Sequence, residues 1–107
     1  MIRHIVLVSV AQDTQDETIA EIFSGLAALV EAIPGARNFA GGRSRSPENL
    51  ERGYTHGFTI DFESWDDLRT YADHPEHVDL GSRLLSHAKG GADGLIVLDV
   101  ETGERSR

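Results

Sequence analysis

The chain contains no cysteine among its 107 residues. Disulfides, thiolate nucleophiles and thiolate-held zinc are excluded together, so any chemistry must come from His, Tyr, Asp, Glu, Ser or Arg. Basic residues are also scarce: 10 Lys and Arg stand against 18 Asp and Glu, a net charge of −8. Such a surface repels phosphate backbones and anionic lipid headgroups, so neither nucleic acid nor a membrane is an expected partner. No apolar run approaches the roughly 20 residues of a spanning helix. The stretch "IVLVSV" near the start is too short and too β-branched for a signal peptide. These absences predict a cytoplasmic protein. The length fits one domain with little core to spare, to which a partner copy can contribute.

What is present is a strong pattern of short elements. "IRHIVLVSV", residues 2–10, is apolar at nearly every position, which predicts a central strand covered on both faces. Alternation puts Ile2, His4, Val6, Val8 and Val10 on one face and Ile5 and Leu7 on the other. Thr14 and Glu17 have capping-box spacing, and Ile19, Ile22, Phe23, Leu26, Leu29, Val30 and Ile33 then recur at helical spacing up to Pro34-Gly35. Residues 36–45 carry a weaker strand pattern in which Gly41-Gly42 suggests a bulge or a close backbone approach. "YTHGFTIDF", residues 54–62, alternates with His56, Phe58, Ile60 and Phe62 on one face.

Ser64 is placed to cap a short helix with Asp66 and Asp67 in its first turn and Trp65, Leu68, Tyr71 and Ala72 inward. Pro75 occupies the favoured first position of a further helical segment running toward Lys89, with Val78, Leu84, Leu85 and Ala88 as its apolar side. "LIVLDV", residues 95–100, is the last strand. Residues 1–101 read as the domain, and 102–107 as a polar tail expected to be disordered. The order strand, helix, strand, strand, broken helix, strand predicts an α+β fold, a ferredoxin-like βαββαβ sandwich with a four-stranded antiparallel sheet. Helices cover one face of such a sheet. Because the first and last strands are apolar on both faces, the open face is expected to pack on a second copy, giving a homodimer through sheet faces.

The stretch "DHPEHV" admits three readings. His74 and His77 are three apart and could share a metal, but zinc needs a third protein ligand and nothing in the spacing requires one, so no metal site is expected. His74 beside Pro75 reads as helix punctuation. His77 lies one turn in, where the helix dipole favours a neutral imidazole able to accept a proton, and Tyr71 ends the preceding helix facing the same space. His4 and His56, each on an apolar strand face, need hydrogen-bond partners, which gather where a ligand pocket lies between sheet and helices.

"MIRHIVLVSV", "GYTHGFTIDFESWDDLRTYADHPEHV" and "LIVLDV" resemble the stress-responsive A/B barrel, or Dabb, family over almost the whole chain. The most specific part is Gly53-Tyr54-Thr55-His56 followed by Phe62, Leu68, Tyr71 and His74-Pro75-x-His77. The resemblance implies a ferredoxin-like protomer whose sheet meets its symmetry mate in a shared barrel. It implies either a heat- or salt-stress protein of no settled activity, its stable dimeric barrel the non-catalytic functional feature, or a plant polyketide cyclase relative that closes a poly-β-ketone by aldol condensation. In the cyclase branch the positions of His77 and Tyr71 are the catalytic pair, base and enolate donor respectively. His4 and His56 match pocket histidines, with Phe23, Leu26 and Phe58 lining the apolar part around a small apolar or carbonyl-bearing ligand. No cofactor is expected, and nothing marks His4, His56 or His87 as haem ligands of the monooxygenases that share this architecture. Leu80 departs from the phenylalanine usual in cyclases, and Arg83 and Ala88 replace apolar and aromatic residues.

Overall fold

The structure, a computed structural model, describes residues 1–103. Eight elements follow in order: β1 (Ile2–Val8), α1 (Asp16–Ala32), β2 (Ala36–Arg43), β3 (His56–Phe62), α2 (Trp65–Asp73), α3 (Pro75–His87), a 3-10 turn (Gly91–Gly94) and β4 (Leu95–Glu101). The strands form one sheet in the order β2-β3-β1-β4, with every neighbouring pair antiparallel. This is the α+β ferredoxin-like arrangement that the order of elements predicts. Of the tail, residues 104–107 and their expected disorder lie outside the described residues, while the Thr102 amide donates to the Met1 carbonyl at 2.9 Å. No helix among the described residues is long and apolar enough to cross a membrane.

Alternation along β1 divides the protein into two faces. Ile2, His4, Val6 and Val8 are buried beneath the helices. Helix α1 lays Ile19, Ile22, Phe23, Leu26, Leu29 and Val30 onto this layer, each full burial stabilising by roughly 1.5–3 kcal/mol. Phe23, Phe39 and Phe58 pack as an aromatic cluster with ring centroids 5.1–6.3 Å apart. The opposite face carries Ile5 and Leu7 from β1 and, in register with them and Arg3, Ile96, Leu98 and Val100 from β4. Leu7, Ile96, Leu98 and Val100 are exposed in the single chain. At the far end of this face Arg3 Nε donates to Asp61 at 2.8 Å and Asn38 Nδ2 donates to it at 3.0 Å. Together they hold the buried Asp61 carboxyl below its ordinary range, chiefly through the Arg3 hydrogen bond.

Several local expectations are corrected. The cap of α1 is Gln15, with no side-chain hydrogen bond, because the Thr14 hydroxyl faces His87 Nδ1 at 3.3 Å instead of its own helix. The irregularity in β2 falls between Arg37 and Ala40, with Asn38 at φ 63°, not at the glycine pair. Gly41 serves the other purpose suggested for it: a β-carbon there would lie 2.7 Å from Phe58 Cβ. Strand β1 stops at Val8 and β3 begins at His56, each two residues inside the expected limits. Gly35, at φ +85°, turns the chain out of α1, and a side chain there would strike Asp67. Ser64 caps α2, accepting the Asp67 amide at 3.1 Å. Trp65 and Ala72 lie exposed, because α2 buries only Tyr71 fully.

Candidate functional site

His74 is the joint between two helices. It closes α2 through its amide, which donates to the Tyr71 carbonyl at 3.2 Å, and it opens α3 through Nδ1, which accepts the Glu76 amide at 3.1 Å. Pro75 then fixes the first turn of α3. The break turns α3 so that Leu84 and Ala88 reach the core while Val78 and Leu85 stay exposed. Between α3 and the β1 and β4 side of the sheet lies a cavity of about 380 Å³. Its sheet wall is His4, Val6, Phe58, Leu95 and Val97, and its helix wall includes Leu26, Ala72, His77, Gly81 and Leu84. Among the described residues no lysine or arginine lines it.

His77 presents a defined tautomer to this space. Nδ1 lies 2.9 Å from the Ala72 carbonyl, which can only accept, so Nδ1 carries the hydrogen and Nε2 of the neutral ring carries the lone pair. Burial holds the imidazole below its ordinary pKa of 6.5, with His4 and His74 adding to the effect and the Ala72 bond opposing it. The ring is thus neutral and basic at Nε2 near pH 7. His4 Nδ1 lies 2.6 Å from Asp99 Oδ1 across the β1–β4 register pair, which leaves Nε2 unused among the described residues.

Tyr71 backs both imidazoles without lining the cavity. Its ring centroid is 4.5 Å from that of His77 and 5.9 Å from that of His4, and Phe62 packs on it at 5.2 Å. The phenol is fully buried, and its hydroxyl finds no hydrogen-bond partner among the described protein groups. Burial pushes its pKa well above the ordinary 10.0, so the group is a donor and not an anion.

The other anticipated residues separate. His4, Leu26 and Phe58 line the cavity with His77. Phe23 lies behind Phe58 in the aromatic cluster. His56 is four residues along β3 from Ile60, the partner of His4, and it faces the start of α1, where Nε2 lies 3.2 Å from Asp16 and Nδ1 2.9 Å from Thr55. Burial also holds His56 below its ordinary pKa, with Asp16 opposing. Among the described residues no group of three or more His, Asp and Glu side chains is gathered to hold a metal ion. Asp99 escaped the sequence reading, although it is the one carboxylate within the otherwise apolar "LIVLDV".

A family model described as the stress responsive A/B barrel domain matches residues 2–102. Stress-response A/B barrel domain-containing protein HS1 of Arabidopsis thaliana is 36% identical over 98 residues, covering 92% of this chain and 86% of that protein. Olivetolic acid cyclase of Cannabis sativa is 29% identical over 80 residues, covering 75% and 79% of the two chains. A crystal structure of a dimeric ferredoxin-like protein of unknown function from Jannaschia superposes with a TM-score of 0.88 at 31% identity, covering 94% of this chain and 98% of that one.

Proposed function

We propose, from the premise that this chain belongs to the stress-responsive A/B barrel family, that it is a cytoplasmic homodimer whose cavity performs cofactor-free proton transfer on a carbonyl compound. The observation that carries this reading is the His77 ring on the cavity wall, tied at Nδ1 to Ala72 and with Nε2 unengaged among the described residues. In that role His77 Nε2 removes a proton from the carbon between or beside carbonyl groups. Tyr71, whose hydroxyl finds no partner among the described protein groups, turns in this proposal from behind the imidazoles into the cavity and donates to the oxygen on which negative charge develops. His4, oriented by Asp99, supplies a second imidazole nitrogen to the same wall. The likeness to olivetolic acid cyclase supports carbonyl chemistry of the aldol type.

The dimer has its own support. Exposed Leu7, Ile96, Leu98 and Val100 make the open sheet face apolar, and the Jannaschia relative is dimeric. Its burial would add to a core of which a chain of this length has little to spare. The experiment is exchange of the central protons of 2,4-nonanedione in D2O, followed by NMR, with wild type and His77→Ala. Wild type should accelerate exchange above buffer and His77→Ala should not, while both sediment as dimers. Equal acceleration by both proteins would refute the assignment of the base.

A second reading is a non-catalytic stress or ligand-binding protein whose stable barrel is the selected feature. The 36% identity to a protein named for stress response favours it. It predicts no accelerated exchange by the wild type and high heat resistance retained on replacing His77 and Tyr71 together.

A further inference from the structure

Two glycines sit inside the long helices, Gly25 in α1 and Gly81 in α3. Glycine is the poorest helix former after proline, so each position calls for a reason. Gly25 has one in packing: a β-carbon there would lie 2.9 Å from Leu80 Cδ2, where α1 and α3 approach each other. Gly81 has none inside the protein. Its backbone is ordinary right-handed helix, and a β-carbon built on it meets, outside the adjoining backbone of its own helix, no atom of the described residues within 4 Å. Neither a turn nor a close approach demands glycine, yet the helix carries the least favourable residue it can carry short of proline.

The space left by the missing side chain belongs to the cavity. Gly81 is on the cavity wall four residues after His77, one helical turn and about 6 Å further along α3. The lining also includes Val78 and Leu85 of α3 and Val97 of the edge strand β4, which are 56%, 37% and 51% exposed, so the cavity meets solvent where α3 faces β4. A path that starts at an imidazole and leaves over apolar side chains suits a ligand with one polar end and an apolar extension. With no lysine or arginine on the wall among the described residues, a carboxylate or phosphate would be buried there beside imidazoles alone.

We propose that Gly81 is the specificity-determining position of this cavity: its missing side chain is the passage by which an uncharged apolar chain runs from His77 out between α3 and β4. This rests on the cavity reading above, in which the carbonyl end of the ligand sits at His77. The occupant so defined is a neutral ketone or diketone with an apolar chain. Chains ending in an anion lose their hydration without compensation.

The test uses the dimeric full chain and three probes: 2-nonanone, 2-butanone and nonanoate. Binding is followed through the His77 ring resonances, in the wild type, Gly81→Ala and Gly81→Leu. The wild type should bind 2-nonanone at least tenfold more tightly than nonanoate. Gly81→Leu should weaken 2-nonanone at least tenfold while leaving 2-butanone within twofold. Both variants should gain thermal stability, because alanine and leucine are better helix formers, so a loss of binding cannot be assigned to misfolding. If Gly81→Leu binds 2-nonanone as the wild type does, Gly81 sets nothing and the cavity reading stands without it. If nonanoate binds as tightly as 2-nonanone, the exclusion of anions is wrong. If neither ketone moves the His77 resonances of the wild type, this inference and the reading beneath it both fall.

Discussion

Replacing Tyr71 by phenylalanine should make the protein more stable and less active. The Tyr71 hydroxyl is buried with no partner among the described protein groups. Leaving such a hydroxyl unsatisfied costs about 1–3 kcal/mol. Phenylalanine keeps the ring and therefore its packing on His77, Phe62 and His4. The gap left by the oxygen is smaller than a methyl group, for which the cost is about 1 kcal/mol. The desolvation saving therefore wins by about 1 kcal/mol, which in a domain of this size raises Tm by about 4–8 °C. Calorimetry and urea unfolding read this directly, as a higher midpoint at unchanged m. The 2,4-nonanedione exchange assay should show the opposite sign, since the variant cannot donate to the enolate oxygen. A residue that costs stability and supports turnover is the expected trade at a working site. A variant destabilised by 1 kcal/mol or more would show that the hydroxyl makes a native hydrogen bond, and it would remove the free donor from the mechanism.

The remaining predictions concern pH and assembly. His77 and His56 are both held below the ordinary value of 6.5 by burial, so the unfolded chain binds protons first on acidification. Their contribution is complete above pH 6.5 and declines as pH falls from there through the folded-state values, then levels off. Urea midpoints between pH 7.5 and 5 should trace this fall, and a flat profile would contradict the burial of both rings. On the open sheet face, Leu98→Asp puts a carboxylate into the proposed interface at a position 51% exposed in the single chain. It should yield monomers in sedimentation, since an unpaired buried charge costs more than the contact returns. A dimer of unchanged affinity would place the interface elsewhere.

Much of the fold is legible in the order of residues because its signals are local. Two-residue alternation in β1 and β3, the 3.6-residue spacing of Ile19 through Ile33, and Ser64 and Pro75 at helix starts each depend on a few neighbouring positions. The same locality explains the errors. Thr14 has the spacing of a cap, but His87, 73 residues away, takes its hydroxyl, and no window of sequence contains both. The bulge in β2 falls at Asn38, whose side chain is held by Asp61 on the neighbouring strand and not by the glycines that looked permissive.

The candidate site divides along the same line. His77 and Tyr71 could be singled out from the sequence because a helix break lies between them, and their rings do meet at 4.5 Å. His4 and His56 looked equivalent, each a polar residue on an apolar strand face. Only the register of three strands separates them: it pairs His4 with Asp99 beside the cavity and sends His56 to Asp16 at the start of α1. The tautomer of His77 depends on the Ala72 carbonyl, which any residue at that position would supply. The sequence by itself determined the elements, their order, and the two apolar faces of the first and last strands, because periodicity acts over one or two turns. The tertiary structure alone decided which histidines share a wall, which carboxylate orients His4, and that the space beside Gly81 is open, because those depend on distances between residues far apart in the chain.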